Sequence, residues 1–241
     1  MTSRDLVTLS FESKNDYNSN LEKLISLIQE TPYNAIVVAP EVCLTNFDYE
    51  NMAIAAEFTQ KAIEELYSIL EDRYLFFTTI DRLHDDYVNE AKVLHNYKII
   101  HTQAKAKLFR LGNETQHFRK GSEDEITFIN IDGIKFAILI CFELRFKELW
   151  TQIEGADVVA IPSQWGKTRS EAYETLTRAL AIMNQCYVVA SDMRNLDTTG
   201  RSSITTPFGL QSFVEGETLT KPYDRKKIIK IRRQLDVGIE W

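Results

Sequence analysis

The feature that most constrains the fold is a repeated alternation between short apolar runs and amphipathic segments. The runs have the length of strands and are almost free of charge, a pattern typical of central strands buried on both faces. They read AIVVAP (35–40), YLFFTTI (74–80), ADVVAIP (156–162) and CYVVAS (186–191). Segments with apolar residues at helical spacing predict helices near residues 20–30, 50–71 and 170–185. This alternation predicts an α/β fold.

Two pairs of runs are typical of β-hairpins. NEAKVL and YKIIHTQ flank His95 and Asn96, where asparagine tolerates the positive φ of a tight turn. ITFINI and IKFAILIC flank Asp132 and Gly133, and the second of these runs places Cys141 as the last residue of a central strand.

The first and last runs complete the predicted pattern of strands. LVTLSF (6–11) predicts the first strand, and SSITT with the apolar-basic run KKIIKI predicts late strands that end in an arm. No linker-like segment or internal repeat interrupts the chain, so we expect residues 1–241 to form a single domain.

Composition excludes several classes of protein. With 241 residues, 44% hydrophobic and 26% charged, the chain is neither collagen-like nor disordered. Its net charge of −7 argues against nucleic acid or an anionic membrane as a partner. No apolar run approaches the roughly 18–20 residues of a membrane span, and the start lacks the apolar centre of a secretory signal. We therefore expect a cytoplasmic protein, and composition leaves a small-molecule ligand open.

The cysteines and histidines predict no metal centre. The three cysteines, Cys43, Cys141 and Cys186, include no CxxC pair, and the four histidines form no HExxH motif. We interpret Cys43 and Cys186 as packing residues, since free cysteine is commonly buried.

Three reactive side chains follow predicted strands. Glu41, Lys105 and Cys141 each lie at or just beyond a carboxyl end, where ligands bind in α/β proteins. A cysteine at a strand-to-helix junction can use helix amides to stabilise a thiolate. A thiol nucleophile otherwise needs a base for its proton and a cation for developing negative charge. Glu41 and Lys105 have the chemistry of those two roles.

These residues lie in segments that resemble a known family. VVAPEVCLTNF, KAKLF and ILICFELRFKEL are similar to the three motifs of the nitrilase-like carbon-nitrogen hydrolases, which carry a Glu, Lys and Cys triad. GADVVAIPSQW, NQCYVVAS and SSITTPFG extend the resemblance over nearly the whole chain. KAKLFRLGNETQHFRKG is similar to omega-amidase-like members, which places an auxiliary glutamate at Glu114.

The resemblance implies a four-layer αββα sandwich and an amidase without a cofactor. It implies Glu41 as general base and Cys141 as the nucleophile that forms a thioester with a small linear amide, such as an omega-amide of a dicarboxylic acid. Lys105 and the backbone N–H of Phe142 would hold the oxyanion. Glu114 would position Lys105 or the substrate.

Two further residues are candidates for substrate binding. Arg145 could pair with a substrate carboxylate, although an ion pair with Glu148 or Glu143 is the interpretation that we favour. Trp165 could form a wall of the pocket or serve as a buried anchor.

The sequence departs from the family at supporting positions. Glu143 stands where the family often has Asp, and Lys147 where it often has Pro. Leu180 and Met183 stand where it usually has Arg and Glu. These last two changes leave open a catalytically silent member that acts as a binding or scaffold protein.

Two further activities are compatible with the sequence. A nitrilase could use the same triad on a different substrate. A Cys/His dyad with His117 is a rival mechanism, although nothing in the sequence places His117 beside Cys141.

The resemblance also implies an assembly. A homodimer or larger homo-oligomer would form through a predicted helix at 142–153 and the helix that ends at Gln185.

Overall fold

The computed structural model describes residues 4–239 as an α/β structure. Its strands are β1 (Asp5–Leu9), β2 (Ala35–Val38), β3 (Tyr74–Leu83), β4 (Asp86–His95), β5 (Lys98–Ala104), β6 (Ile129–Ile131), β7 (Ile134–Ile138), β8 (Val158–Ser163), β9 (Tyr187–Asp192), β10 (Ser203–Thr205), β11 (Gln211–Phe213) and β12 (Thr218–Pro222). Its α-helices are α1 (Tyr17–Gln29), α2 (Met52–Leu70), α3 (Glu114–His117), α4 (Lys147–Gln152), α5 (Ser170–Met183) and α6 (Arg225–Gln234). Within these described residues, no helix combines the length and apolar character needed to cross a bilayer.

The strands form two sheets that pack face to face. Over residues 4–239 each sheet has six strands, in the orders β12-β1-β2-β3-β4-β5 and β11-β10-β9-β8-β7-β6. The central strands β1–β3 and β7–β9 are parallel, and the flanking pairs are antiparallel. Helices α1 and α2 cover the first sheet and α5 covers the second. This is the four-layer αββα sandwich that the motifs implied, so that prediction is confirmed.

The apolar run in β2 shows why these strands carry almost no charge. Ile36 and Val38 pack in the core cluster that includes residues of both sheets. Ala35 and Val37 point the other way and pack with residues of α1 and α2. Successive side chains of a strand face opposite sides of a sheet, so a strand between two layers must be apolar at every position.

The layered arrangement gathers the ends of several strands. Strands β2, β3 and β5 run in the same direction, and Glu41 and Lys105 follow β2 and β5. In the second sheet, Cys141 follows β7, Gln164 follows β8 and Asp192 ends β9. The backbone N–H of Gln164 donates to the carboxylate of Glu41 at 3.1 Å, which joins the two sets of strand ends.

The first predicted hairpin is displaced by one residue. His95 pairs with Lys98 in the β4–β5 ladder, so the turn is formed by Asn96 and Tyr97, both at positive φ (46° and 60°). The second predicted hairpin is confirmed at Asp132 and Gly133, which connect β6 to β7.

The prediction of a late strand at KKIIKI was wrong, because this run forms helix α6. Ile228 and Ile231 are buried at a spacing of three residues, which is helical, and the carboxylate of Asp224 caps the backbone N–H of Lys226 at 2.9 Å. Isoleucine is enriched in strands, but the N-cap and the burial of one helical face decide the outcome here.

Candidate active site

Glu41, Lys105 and Glu114 form a buried cluster of charges. The Nζ of Lys105 lies 2.7 Å from Oε1 of Glu41 and 2.7 Å from Oε1 of Glu114. All three side chains are almost completely excluded from solvent. Lys105 directly follows strand β5, Glu41 lies in the loop after β2, and Glu114 is the first residue of the short helix α3. The structure thus brings together three residues that the sequence had singled out.

Further hydrogen bonds fix both carboxylates. Oε1 of Glu41 also accepts from Nδ2 of Asn89 at 2.8 Å. Oε2 of Glu114 accepts from the backbone N–H of Phe109 at 3.0 Å. Asn89 was not predicted from the sequence, where its one signal is an amide side chain within a predicted strand. Glu41 is therefore held in one orientation.

The cluster keeps its lysine charged. Burial disfavours the ammonium, but the charges of Glu114 and Glu41 outweigh it and raise the pKa of Lys105 well above its ordinary value. Burial and the neighbouring Glu41 charge raise the pKa of Glu114, although Lys105 opposes that shift. The site therefore holds one permanent cation between two carboxyl groups.

Cys141 lies beside this cluster in a strained backbone conformation. Strand β7 ends at Ile138, and Cys141, with a φ of +47°, opens a 3₁₀ helix over Cys141–Arg145. The prediction that Cys141 ends the strand was therefore wrong, as was the continuous helix at 142–153, which is divided at Phe146. Positive φ is costly for a residue with a side chain and is concentrated at functional sites.

The thiol of Cys141 is not a preformed thiolate. Burial and the negative charge of Glu41 raise its pKa well above the ordinary value, although Lys105 and the Gln164 backbone N–H act in the opposite direction. The backbone N–H groups near Cys141 therefore do not lower the pKa of the resting thiol below its ordinary value. A base must take the proton when the sulfur reacts. Alkylating reagents react with the thiolate form of cysteine. Slow alkylation of Cys141 at neutral pH would therefore not show that the protein is inactive.

Glu143 connects the cysteine turn to the lysine strand. Its carboxylate accepts from the backbone N–H groups of Ile140 and Ala106, both at 2.7 Å, and Ala106 directly follows Lys105. Burial raises the pKa of Glu143 to about 7. From the sequence, Glu143 was predicted as a candidate ion-pair partner of Arg145 and noted as a departure from Asp. The structure gives it a role in fixing the distance between the two reactive segments.

Asp192 fixes the loop after β8 in the way that Glu143 fixes the cysteine turn, by accepting hydrogen bonds from backbone N–H groups. Its Oδ1 accepts from the backbone N–H of Trp165 at 2.7 Å, and its Oδ2 accepts from the hydroxyl of Thr199 at 2.5 Å and the N–H of Gly200 at 3.0 Å. Burial raises its pKa to about 7. Asp192 thereby holds the loop whose Gln164 contacts Glu41. Nothing in the local sequence separates it from any other aspartate at a strand end.

The Asp192→Asn variant tests this loop anchor. Its amide NH₂ would face N–H or O–H donors, so we expect it to lose about 1–3 kcal/mol of unfolding free energy at pH 5. Because the folded pKa of Asp192 is raised, its contribution to wild-type stability is complete below about pH 4 and is lost as the pH rises through about 7. Urea titrations from pH 4 to 8 should therefore show the gap between wild type and variant shrinking with pH. A gap independent of pH would mean that Asp192 titrates normally.

An open pocket adjoins Cys141. It is lined by aromatic rings, glycine, Gln164 and two arginines: Phe109, Phe142, Arg145, Trp165, Gly166 and Arg169. Phe142, the proposed backbone donor, is the second residue of the 3₁₀ helix, and its ring packs 5.0 Å from that of Phe109. The pocket is thus largely apolar with positive charge at its wall.

The expected ion pair of Arg145 is absent among residues 4–239. Glu143 binds backbone N–H groups, and Glu148 pairs with Lys107 at 3.2 Å. The guanidinium of Arg145 instead lies 5.1 Å from the ring centroid of Trp165. Trp165 is both pocket wall and anchor, because it is buried and its indole N–H donates to the carbonyl of Arg169 at 3.0 Å.

The remaining candidates lie apart from the chemistry. His117 is exposed, and its ring stacks on Tyr49 at 4.1 Å, so the structure provides no Cys/His dyad with Cys141. Cys43 and Cys186 are fully buried in core clusters, and burial raises the pKa of each to about 12. Both have the properties of packing residues.

The fold and the buried cluster define a class of enzyme, and comparison with known proteins identifies it. The family model for carbon-nitrogen hydrolases matches residues 7–211. The chain belongs to the carbon-nitrogen hydrolase family, as its motifs indicated, and is a hydrolase of carbon–nitrogen bonds other than peptide bonds.

Particular relatives are amidases. The chain is 28% identical over 205 residues to a 2-oxoglutaramate amidase of Bacillus subtilis, covering 80% of this chain and 78% of that protein. It is 25% identical over 187 residues to the omega-amidase YafV of Yersinia enterocolitica, covering 77% and 72%. The predicted similarity to omega-amidase-like members is confirmed.

Solved structures share the fold at low identity. A carbon-nitrogen hydrolase superfamily protein of Xanthomonas campestris superposes with a TM-score of 0.87 at 19% identity, covering 100% of this chain and 99% of that one. Nit3 of Saccharomyces cerevisiae, a member of the nitrilase superfamily, gives a TM-score of 0.85 at 21% identity, covering 99% and 96%.

Proposed function

We propose that this protein hydrolyses the omega-amide of a small dicarboxylic acid through a thioester on Cys141 and releases ammonia. The observation that carries the proposal is the buried Glu41–Lys105 pair, joined at 2.7 Å, beside a cysteine that opens onto a pocket. The names of the amidase relatives support the substrate class.

In the first step, Sγ of Cys141 attacks the amide carbonyl carbon while its proton passes to the carboxylate of Glu41. Because the resting thiol is protonated, this transfer is needed for attack at neutral pH. The carbonyl oxygen becomes an oxyanion held by Nζ of Lys105 and the backbone N–H of Phe142. Loss of one such donor costs about 2.7–4 kcal/mol in other enzymes.

In the second step, Glu41 returns its proton to the amide nitrogen and the carbon–nitrogen bond breaks. Ammonia leaves, and the acyl group remains on the sulfur as a thioester. Water then attacks the thioester carbonyl carbon as Glu41 takes its proton. The carbon–sulfur bond breaks, Glu41 returns that proton to the thiolate, and the carboxylic acid departs. Glu114 keeps Lys105 in position throughout. These steps use only side chains, a backbone N–H and water, so the proposed reaction needs no cofactor.

The silent binding or scaffold role draws no support from the two substitutions that raised it. Leu180 is buried in the core and Met183 is exposed at the end of α5. Neither is among the residues that line the pocket beside Cys141.

A substrate panel tests the proposed reaction. We expect ammonia release from the monoamide of glutaric acid, and lower release from the nitrile of the same chain length, because Glu41 is positioned to protonate an amide leaving group. Separate reactions with each substrate, followed by mass spectrometry, compare the rate at which glutaric acid forms from the amide with the rate at which it forms from the nitrile. Absence of turnover on every amide would reject the proposal, and faster hydrolysis of the nitrile would favour a nitrilase.

Assembly and location stay predictions. Ile182 and Met183 at the end of α5 and Phe208 in the turn between β10 and β11 are exposed. Together they form an apolar surface that suits contact with a second copy in a homo-oligomer. A cytoplasmic location and organisation as one domain over 1–241 likewise remain expectations. Sedimentation velocity of the full chain tests the oligomer.

A further inference from the structure

The pocket beside Cys141 contains a second arginine that sequence analysis did not single out. Arg169 ends the 3₁₀ turn before α5 and lines both the narrow pocket at Cys141 and the wider opening next to it. Its guanidinium carbon lies 5.1 Å from the ring centroid of Phe109. Arg145 takes the equivalent position over Trp165. Two cations on aromatic supports therefore share one pocket.

Neither guanidinium has an acidic partner among residues 4–239. Two carboxyl groups line the wider opening. Glu114 is paired with Lys105, and Asp197 forms no ion pair with Arg145 or Arg169 within the described part of the chain. Arg145 is exposed and Arg169 is half-buried, so both unpaired guanidinium groups are accessible to a ligand that carries negative charge into the pocket.

The local sequence makes room for this second cation. A Cβ built on Gly166 would lie 2.5 Å from Nη2 of Arg169, so the guanidinium packs directly over the glycine backbone. Any larger residue at position 166 would displace it. Gly166 follows Trp165, whose backbone Asp192 anchors. The loop after β8 thus positions both the ring under Arg145 and the backbone under Arg169.

We infer that Arg145 and Arg169 together bind the distal carboxylate of the substrate, and that Arg169 is a specificity-determining residue. The inference rests on the proposed amide hydrolysis and names its substrate: a linear monoamide whose far end carries a carboxylate. Planar guanidinium groups suit a carboxylate because each can donate two parallel N–H bonds. The two arginines repel an ammonium group next to that carboxylate. Side-chain amides of α-amino acids, such as L-glutamine, are therefore poorer substrates.

Three probes of similar length separate these effects. The monoamide of glutaric acid carries the distal carboxylate, pentanamide lacks it, and L-glutamine adds an α-ammonium. We expect wild type to prefer the first over each of the others by at least about tenfold in kcat/KM, as is typical for one good charged contact.

The Arg169→Met variant is the main test. It should raise KM for the glutaric monoamide about 10- to 100-fold, leave kcat/KM for pentanamide within about threefold, and narrow the discrimination against L-glutamine. Arg169→Lys should recover part of the preference. Gly166→Ala should act in the same direction as Arg169→Met by displacing the guanidinium. Arg178→Met, on the exposed face of α5 outside the pocket, is the matched control and should change nothing.

A binding measurement makes the test independent of turnover. Glutarate should raise the melting temperature of wild type and of Arg178→Met, and much less that of Arg169→Met. Equal loss of activity on glutaric monoamide and pentanamide in Arg169→Met would assign Arg169 a structural role and overturn the inference. So would equal stabilisation of all three proteins by glutarate. If wild type hydrolyses pentanamide and the glutaric monoamide with equal kcat/KM, the proposed amide hydrolysis stands and the proposed carboxylate site is rejected. If wild type hydrolyses no amide, both proposals are rejected.

Discussion

Replacing Cys141 by alanine is expected to lower ammonia release at least about a thousandfold, since only binding and oxyanion contacts would remain. The change removes one sulfur from a residue that is only 7% exposed, and alanine tolerates the positive φ no worse than cysteine. The melting temperature should therefore stay close to that of wild type. Steady-state ammonia assays with saturating amide measure the loss.

The matched control is Cys186→Ala. This cysteine is also buried, but it packs in the core directly before β9, at the opposite end of that strand from Asp192. It should cost some stability, because a small cavity forms, and leave kcat nearly unchanged. Equal activity of Cys141→Ala and wild type would refute the thioester mechanism.

The second large effect is expected for Lys105→Met, on both stability and activity. Methionine has a similar length but leaves the carboxyl groups of Glu41 and Glu114 buried without the cation that bridges them at 2.7 Å. Removing one partner of a buried ion pair costs about 3–5 kcal/mol. Loss of an oxyanion donor lowers kcat about 10²- to 10³-fold. Burial raises the pKa of Glu114, so lowering the pH protonates this carboxyl group and the stability deficit should shrink in acid.

The double variant Lys105→Met/Glu114→Gln separates the two effects. Neutralising Glu114 should restore much of the unfolding free energy in urea titrations and none of the activity. Lys107→Met is the control, since Lys107 pairs with two glutamates near the surface and exposed pairs contribute about 0–1 kcal/mol. Recovery of turnover in the double variant would show that Lys105 serves only to balance charge.

Most of the secondary structure was predictable because its signals are local. The run AIVVAP indicated a strand buried on both faces, and β2 packs apolar residues on both sides. The tail shows the limit of such signals. In KKIIKI the same isoleucines fit a strand or a helix, and the Asp224 N-cap together with the burial of Ile228 and Ile231 decides for α6.

The candidate site, like the secondary structure, was predictable only in part. Motif resemblance selected Glu41, Lys105, Cys141 and Glu114. The structure joins Lys105 to both glutamates and places Glu114 and Cys141 on the lining of one pocket. The ion pair expected for Arg145 was wrong, because the carboxylate of Glu143 is held by backbone N–H groups. A sequence shows which groups carry charge but not which of several nearby partners each one meets.

By itself, the sequence determined the chemical groups, the order of most strands and helices, and the family. Those properties follow from residue type and short-range spacing, which the chain carries whether or not it is folded. The tertiary structure alone decided that Asp192 anchors the loop at Trp165, that Glu143 spans the gap to Ala106, and that Arg169 shares a pocket with Cys141. Each of these contacts joins segments far apart in the chain, and its energy exists only once two packed sheets exclude water and fix the distances between their strand ends.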